Sequence, residues 1–476
     1  MEQQHNHHLP QQTQDQDALL VKPVMKRYII LFLFCMNACC KAFQWMQVPS
    51  ATTKATVLYG VDNYIINLAS IIFMLSFVVL SWPACYIIEH LGMRRAVLMA
   101  SFGTAVGAVV KCFSCHEEGV WLLMLGQIIV SLCEQLIFSL PSRIASVWFP
   151  DNQVSFCVAM CVVGNQVGVA LGFMVPHWYL NHAETRAEIG TGFYHMFIGT
   201  AGLSVAIFLL CVIAFDEEPK YAPGEARLKQ RQLERAHKGE VTSMSKELGT
   251  LFSQMAELCK NRHLIMLSLS YGLVVGINYT IQTLLDQMLA DADWPDEDLL
   301  VGTTGFIIIG AGIITTPFWG MIMDACHAYK LINVIIALGN VVSLACFSYA
   351  IVAKHSPISI YVSALFYGLF SVGFCVSALE YAVELTYPAP ELVTSSIMNV
   401  MPQIGGTLCI LLGSYLVDTF GNFTCGAFNS GVLLAGLVFV LVTKEDLKRQ
   451  KAAAREKLPA TNDSKLQEAV NGGQLA

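Results

Sequence analysis

The chain reads Glu89-His90-Leu91-Gly92-Met93-Arg94-Arg95 after its second long apolar segment. It reads Gly320-Met321-Ile322-Met323-Asp324 after its eighth, with Lys330 shortly beyond. Each stretch places an acidic residue and nearby cations at the end of an apolar segment. Such groups can join neighbouring helix ends through ion pairs that break when two bundles rock against each other. Because the pattern recurs in each half, it predicts a chain built from two repeats of one helical unit.

Composition places this chain in a membrane. Of its 476 residues, 55% are apolar and 13% are charged, against about 25% charged in a typical soluble domain. The mean hydropathy is +0.55. A surface this apolar excludes a water-soluble enzyme, and the net charge of −7 gives no basic face for nucleic acid. The length suits about twelve helices of about 20 residues each.

The apolar residues gather into twelve segments of spanning length, with no predicted strand between them. We place them at 28–49, 64–88, 96–113, 119–140, 153–177, 193–215, 264–289, 300–323, 331–353, 357–383, 394–417 and 424–443. The sequence therefore predicts an all-α membrane protein with two pseudo-symmetric six-helix bundles. We expect a disordered tail at 1–26, bundles at 27–215 and 263–443, a polar linker at 216–262 and a second tail at 444–476.

The distribution of basic residues predicts the orientation. With the N-terminus in the cytoplasm, the predicted inside regions hold 23 of the 28 Lys and Arg residues. The outside loops then hold four, Lys54, Lys111, Arg186 and Lys354, and Lys41 lies within the first segment. This asymmetry satisfies the positive-inside rule, so we expect both termini to be cytoplasmic.

Four polar or aromatic side chains lie inside the predicted segments, where such groups are costly unless they pair or serve a site. They are Trp45 in the first segment, Gln166 in the fifth, Tyr279 in the seventh and Gln403 in the eleventh. Each also has a structural explanation. Trp45 suits the aromatic belt at a membrane interface, and the amide of Gln166 suits a hydrogen bond between helices. Tyr279 and Gln403, judged singly, are equally compatible with packing.

Taken together, the four side chains indicate a binding site. Two come from each half, at similar depth, and alternating access places the substrate at the interface of the repeats near the midplane. Aromatic faces attract a quaternary ammonium group by about 0.5–2 kcal/mol per contact. An amide can bond a hydroxyl on the same ligand. Choline has this shape. No motif for covalent catalysis or cofactor binding is present, so we expect no enzyme activity and no cofactor.

Other polar groups in the apolar segments are open to more than one interpretation. Glu134 lies at membrane depth and can carry a proton or pair with a cation. Asp62 and Asp286 lie close to the outer boundary, where we expect them to be solvated. Cys112 and Cys115 have CxxC spacing, which is weak evidence without further ligands. A His-rich run at 5–8 is compatible with metal or haem, and also with no function.

Several stretches resemble the feline leukaemia virus subgroup C receptor-related family, solute carrier family 49, within the major facilitator superfamily. They span both halves in the right order and cover most of residues 25–450. The matching stretches are 42–45 (AFQW), 141–149 (PSRIASVWF), 164–166 (GNQ) with 172–176 (GFMVP), 271–273 (YGL) and 382–388 (AVELTYP).

The resemblance implies a major-facilitator transporter of choline and ethanolamine at the plasma membrane, with haem transport claimed for some members. An internal membrane, such as that of mitochondria or the endoplasmic reticulum, is the alternative location. It also implies that Trp45 and Tyr279 form the substrate cage and that Gln166 and Gln403 are the pocket glutamines. One departure is Glu134, where the family commonly has an uncharged Gln. From the residue pattern and the resemblance together, we expect a facilitative transporter. We expect it to be a monomer whose partners are a small-molecule substrate and the lipid bilayer. A haem transporter and a non-transporting receptor or scaffold are the alternatives.

Overall fold

A computed structural model describes residues 24–219, 221–224, 255–290, 297–326, 328–354, 356–389 and 391–445, together with the single residues 227, 253, 447 and 450. Eleven continuous helical stretches in these residues are long and apolar enough to cross a membrane. The last of them, Val393–Val442, is long enough for two spans. Gly421 divides it, because its backbone is not helical (φ 78°, ψ 177°).

Twelve long helices therefore run through the described part of the chain, as the hydropathy pattern predicts. In the first half they are α1 (Lys26–Met46), α2 (Asn63–Leu91), α3 (Met93–Cys112), α4 (Val120–Phe138), α5 (Val154–Leu180) and α6 (Arg186–Ala214). In the second they are α7 (Arg262–Leu289), α8 (Glu297–Cys326), α9 (Tyr329–Ala353), α10 (Pro357–Thr386), α11 (391–420) and α12 (422–442). Short helices at Thr52–Tyr59 and Pro141–Trp148 connect neighbouring spans.

Glycines bring equivalent helices of the two halves into close contact. In the first half α5 packs on α1, and a Cβ added at Gly168 would stand 2.1 Å from the carbonyl oxygen of Cys39. In the second half α11 packs on α7, and a Cβ at Gly405 would stand 2.6 Å from the carbonyl oxygen of Gly272. Small residues permit such close approach of membrane helices. The same device at equivalent places supports the predicted repeat.

The two bundles meet along α2 with α11 and along α5 with α8. We call the end of the molecule that carries Lys26 and Thr443 the tail side, and the end that carries Gly60 and Asp298 the far side. On the tail side the Glu217 carboxylate accepts the backbone N–H groups of Met93 and Arg94, both at 2.7 Å. It thereby caps the start of α3, where a helix favours negative charge.

Some predictions fall outside what the structure describes. Most of the linker at 216–262 and of the tails at 1–26 and 444–476 belongs to this part, as does the His-rich run at 5–8. The domain limits therefore stay predictions. The side chains of Glu89 and Asp324, the acids of the two repeated stretches, are likewise not described.

A candidate cation-binding site between the two bundles

The predicted aromatic pair meets across the interface of the two halves. Trp45 lies in the last turn of α1 and Tyr279 lies midway along α7. Their ring centroids are 5.8 Å apart and their planes are nearly perpendicular, at 89°. In this edge-to-face contact the positive edge of one ring points at the negative face of the other. An ammonium group is attracted by the same face, so a cation can take the place of the ring edge.

Hydrogen bonds hold the Trp45 indole in position. Its N–H donates to the hydroxyl of Ser70 on α2 at 3.0 Å. That hydroxyl also shares a hydrogen bond of 3.0 Å with the hydroxyl of Thr283 on α7. The chain of contacts runs from the first half to the second. A buried polar group that lacks its partner is costly. These two hydrogen bonds therefore favour one orientation of the indole while the two halves are together.

Gln403 joins the same cluster from α11. Its side chain is buried and is within hydrogen-bonding reach of the Tyr279 hydroxyl. The hydroxyl of Thr407 donates to the backbone carbonyl of Gln403 at 2.7 Å, within the helix. Close by, a Cβ added at Gly406 would stand 3.4 Å from the Tyr279 ring. The two predicted site residues of the second half therefore lie together.

Gln166 is placed differently. It is half-buried on α5 and makes no hydrogen bond with any residue that the structure describes. It lies seven residues before Phe173, so the two side chains share one face of the helix. Phe173 packs against Gly305 of α8, where an added Cβ would meet the ring at 2.3 Å. Gln166 thus faces the second bundle, but the structure shows no contact between it and the other three predicted residues.

Glu134, for which the sequence left open a proton-carrying role or a cation partner, pairs with a cation that the sequence did not identify. The Lys41 ammonium nitrogen on α1 is 3.2 Å from a carboxylate oxygen of Glu134 on α4. The Lys41 side chain is 1% exposed and that of Glu134 is 15% exposed. Glu134 is also near enough to Tyr279 to act electrostatically on its hydroxyl. The four-residue spacing between Lys41 and Trp45, one helical turn, was the available signal.

Charged residues join the two halves on the far side. The Lys54 ammonium is 3.1 Å from a carboxylate oxygen of Asp298, at the start of α8. Nδ1 of His177, on α5, is 3.8 Å from the other oxygen of that carboxylate. The backbone N–H of Thr53 donates to Asp286 at 2.5 Å. The expectation that Asp286 is solvated is wrong, because it is 4% exposed and the first half covers it.

A second polar network lies between α2 and α11 on the same side. Asn67 donates to Gln287 at 3.2 Å and to Ser414 at 3.0 Å. Asp418 accepts from Gln287 at 2.6 Å and from Asn63 at 3.0 Å. Beside this network opens a cleft of about 610 Å³, whose lining includes exposed Asp62. An acidic cleft of this kind raises the local concentration of cations.

These contacts define the state of the molecule. The hydrogen bonds and ion pairs described above that join the two halves lie at the level of the aromatic pair or nearer to the far side. These contacts therefore link the bundles between the candidate site and the far side. In alternating access one side closes while the other gives entry to a fixed site. The structure corresponds to the state that is closed on the far side.

Two other predictions about polar groups can be compared with the structure. Lys111, counted among the outside loops, is instead fully buried in the last turn of α3, where its ammonium is 3.2 Å from the Gln127 side-chain oxygen. Cys112 and Cys115 are free thiols. The described residues contain no group of three or more His, Cys, Asp or Glu side chains placed to hold a metal ion.

Two six-helix bundles enclosing polar and aromatic groups at membrane depth define a secondary transporter. The sequence profile of the Major Facilitator Superfamily matches residues 30–401. The D-xylose-proton symporter has the same fold, with a TM-score of 0.68 at 12% identity over 88% of this chain and 98% of that one.

Two relatives narrow the family. The choline/ethanolamine transporter flvcr2a of Danio rerio is 31% identical over 90% of this chain and 88% of its own length. The choline/ethanolamine transporter FLVCR2 of Homo sapiens is 29% identical over 97% of this chain and 86% of its own. The chain belongs to the major facilitator superfamily and, within it, to the feline leukaemia virus subgroup C receptor-related family. The resemblance seen in the sequence is confirmed.

Proposed function

We propose that this protein carries choline and ethanolamine across the membrane by alternating access, with Trp45, Gln166, Tyr279 and Gln403 as substrate-binding residues. The observation that carries the proposal is the contact of Trp45 with Tyr279, 5.8 Å between centroids, at the junction of the two bundles. One ring comes from each half. Because a bound cation would contact both rings, its binding depends on how the two bundles are placed relative to each other.

Recognition follows from the chemistry of these groups. The trimethylammonium head of choline has no N–H, so its attraction to the site comes from the aromatic faces, at about 0.5–2 kcal/mol for each. Its hydroxyl can exchange hydrogen bonds with an amide. Gln403 already lies beside Tyr279, and Gln166 has an uncommitted amide on the facing bundle. Closure of the second bundle on the first would bring both amides to one ligand.

The transport cycle follows from the far-side contacts. Opening the far side requires separation of Lys54 from Asp298 and of Asn67 from Gln287. Substrate then enters from the far side, and its binding to both halves offsets the free energy lost when these contacts separate. We place the tail side in the cytoplasm, on the distribution of basic residues, and the protein in the plasma membrane. We propose a uniporter, because the described helices show no regular chain of acids and histidines across the membrane. We also propose that the protein acts as a monomer.

The pocket favours an organic cation over the alternatives. Haem is large, flat and doubly anionic, so it requires basic groups and an axial ligand. Of the two fully buried lysines described, Lys41 is neutralised by Glu134 and Lys111 is committed to Gln127. A receptor without transport would not need polar groups shared between moving halves. We propose no enzyme activity, because the site offers no nucleophile paired with a base.

Uptake of radiolabelled choline and ethanolamine tests the proposal. Cells expressing Trp45→Ala or Tyr279→Ala should lose uptake by at least tenfold, with unchanged protein at the surface. Trp121→Ala is the matched control, since Trp121 is 77% exposed and lies in the first turn of α4. Uptake retained in both site variants would contradict the proposal. Transport by purified protein in liposomes, measured separately with choline and with haem, decides between those substrates. Collapse of the pH gradient should leave choline flux unchanged.

A further inference from the structure

The ion pair between Lys41 and Glu134 lies beside the candidate site. Lys41 and Trp45 are four residues apart on α1, so they occupy successive turns of one helix face. Glu134 reaches the same region from α4 and acts electrostatically on Tyr279. Of the two charged side chains, only Glu134 has appreciable exposure, 15% against 1% for Lys41. The carboxylate is therefore the partner that a ligand can reach.

The carboxylate retains capacity to accept hydrogen bonds. The contact with Lys41 engages one of its oxygens, at 3.2 Å, whereas an ionised carboxylate has about four acceptor positions. No other described side chain donates to Glu134. Lys41 meanwhile balances its charge, which a carboxylate at membrane depth requires. The result is a neutral pair that still presents acceptor atoms beside the aromatic rings.

The chemistry of the two proposed substrates differs at this place. A protonated ethanolamine has three N–H donors, and hydrogen bonds between an ammonium and a carboxylate are roughly twice as strong as neutral ones. Choline has none, so the carboxylate offers it only diffuse attraction. We propose that Glu134, held by Lys41, is a specificity-determining residue that makes the pocket prefer ammonium head groups bearing at least one N–H over fully methylated ones. This inference rests on the proposed function.

A purely structural role is the competing explanation, because the pair also links α1 to α4. Loss of one partner would leave the other charge buried and would be destabilising under either explanation. Single substitutions therefore do not discriminate. The double variant K41Q/E134Q removes both charges and keeps polar side chains of similar size. Its readout is the ratio of kcat/KM between two substrates rather than the total flux.

The sharpest substrate pair is N,N-dimethylethanolamine and choline, which differ by one methyl group in place of one N–H. Both are cations at pH 7. We expect the wild-type protein to show a kcat/KM about tenfold higher for dimethylethanolamine. In K41Q/E134Q this preference should fall to about twofold or less. The matched control R186Q/E117Q removes an exposed far-side pair, with side chains 52% and 64% exposed, and should keep the wild-type ratio.

The outcomes separate the two proposals. Equal kcat/KM values for the two substrates in the wild-type protein would overturn the inference, and this measurement stands even if the double variant does not reach the membrane. A ratio that persists unchanged in K41Q/E134Q would also overturn it and would leave the pair a structural role. A wild-type protein that transports neither substrate would contradict the proposed function itself, and this inference with it.

Discussion

Neutralising Asp298 should weaken closure of the far side. Its carboxylate is 3.1 Å from the Lys54 ammonium and 3.8 Å from His177. Both members of the ion pair are partly buried, with 17% of the Asp298 side chain and 21% of the Lys54 side chain exposed. With an effective dielectric constant of about 20, two charges at this distance attract by about 5 kcal/mol before other terms are counted. Desolvation and side-chain ordering offset most of this.

We expect Asp298→Asn to shift the balance by about 1–2 kcal/mol toward the state open on the far side, a factor of about 5–30 in the equilibrium constant. Val301 provides the probe, because it lies one turn along α8 from Asp298 and is 0% exposed. A cysteine at this position, Val301→Cys, should react with a membrane-impermeant thiol reagent about 5–30 times faster in the Asp298→Asn background. Subtraction of the signal from protein without Val301→Cys accounts for the native thiols.

The control for this experiment is Asp62→Asn, which removes a far-side carboxylate that is exposed and takes no part in the ion pairs between the halves. It should leave the labelling rate within twofold of the wild-type value. The same small effect from Asp298→Asn and Asp62→Asn would refute this prediction, because the ion pair would then contribute nothing to closure.

Three further predictions follow from individual contacts. Gly168→Ala should reduce the amount of folded protein several-fold in a fluorescence-detected size-exclusion assay, because its Cβ would stand 2.1 Å from a backbone oxygen of α1; Gly199→Ala, with nothing within 4 Å, should not. Ser70→Ala should raise the KM for choline about fivefold, since the Trp45 indole loses a hydrogen bond worth about 1 kcal/mol; an unchanged KM would show that indole orientation is set elsewhere. Burial raises the pKa of the Cys115 thiol to about 12, so the thiol stays protonated from pH 6 to 9 and should be alkylated by iodoacetamide far more slowly than free cysteine; mass spectrometry of the labelled peptide checks this, and alkylation at the rate of free cysteine would contradict it.

The fold could be predicted because its determinants are local. Twelve apolar segments, a polar stretch after the sixth and glycines every four residues in the fifth are all visible in the chain. Gly168, one of these glycines, lies against the backbone of α1. Helix ends were less visible. The break at Gly421 depends on a backbone conformation that only glycine adopts easily.

The site was predicted in part. Trp45 and Tyr279 could be chosen because aromatic and polar groups at membrane depth are costly, and the structure places them in contact. The partners of charged groups could not be predicted. Asp286 is covered by Thr53, 233 residues away, and Lys41 pairs with Glu134 on another helix. Position along the chain does not reveal such contacts, since they form only when distant helices pack against each other.

The central claim is that aromatic faces from both bundles bind an ammonium head group. A structure of the protein with bound choline tests it most directly. We expect the choline nitrogen within about 6 Å of the ring centroids of both Trp45 and Tyr279, with the hydroxyl on a glutamine amide. Density for choline elsewhere, with the two rings still in edge-to-face contact, would contradict the account.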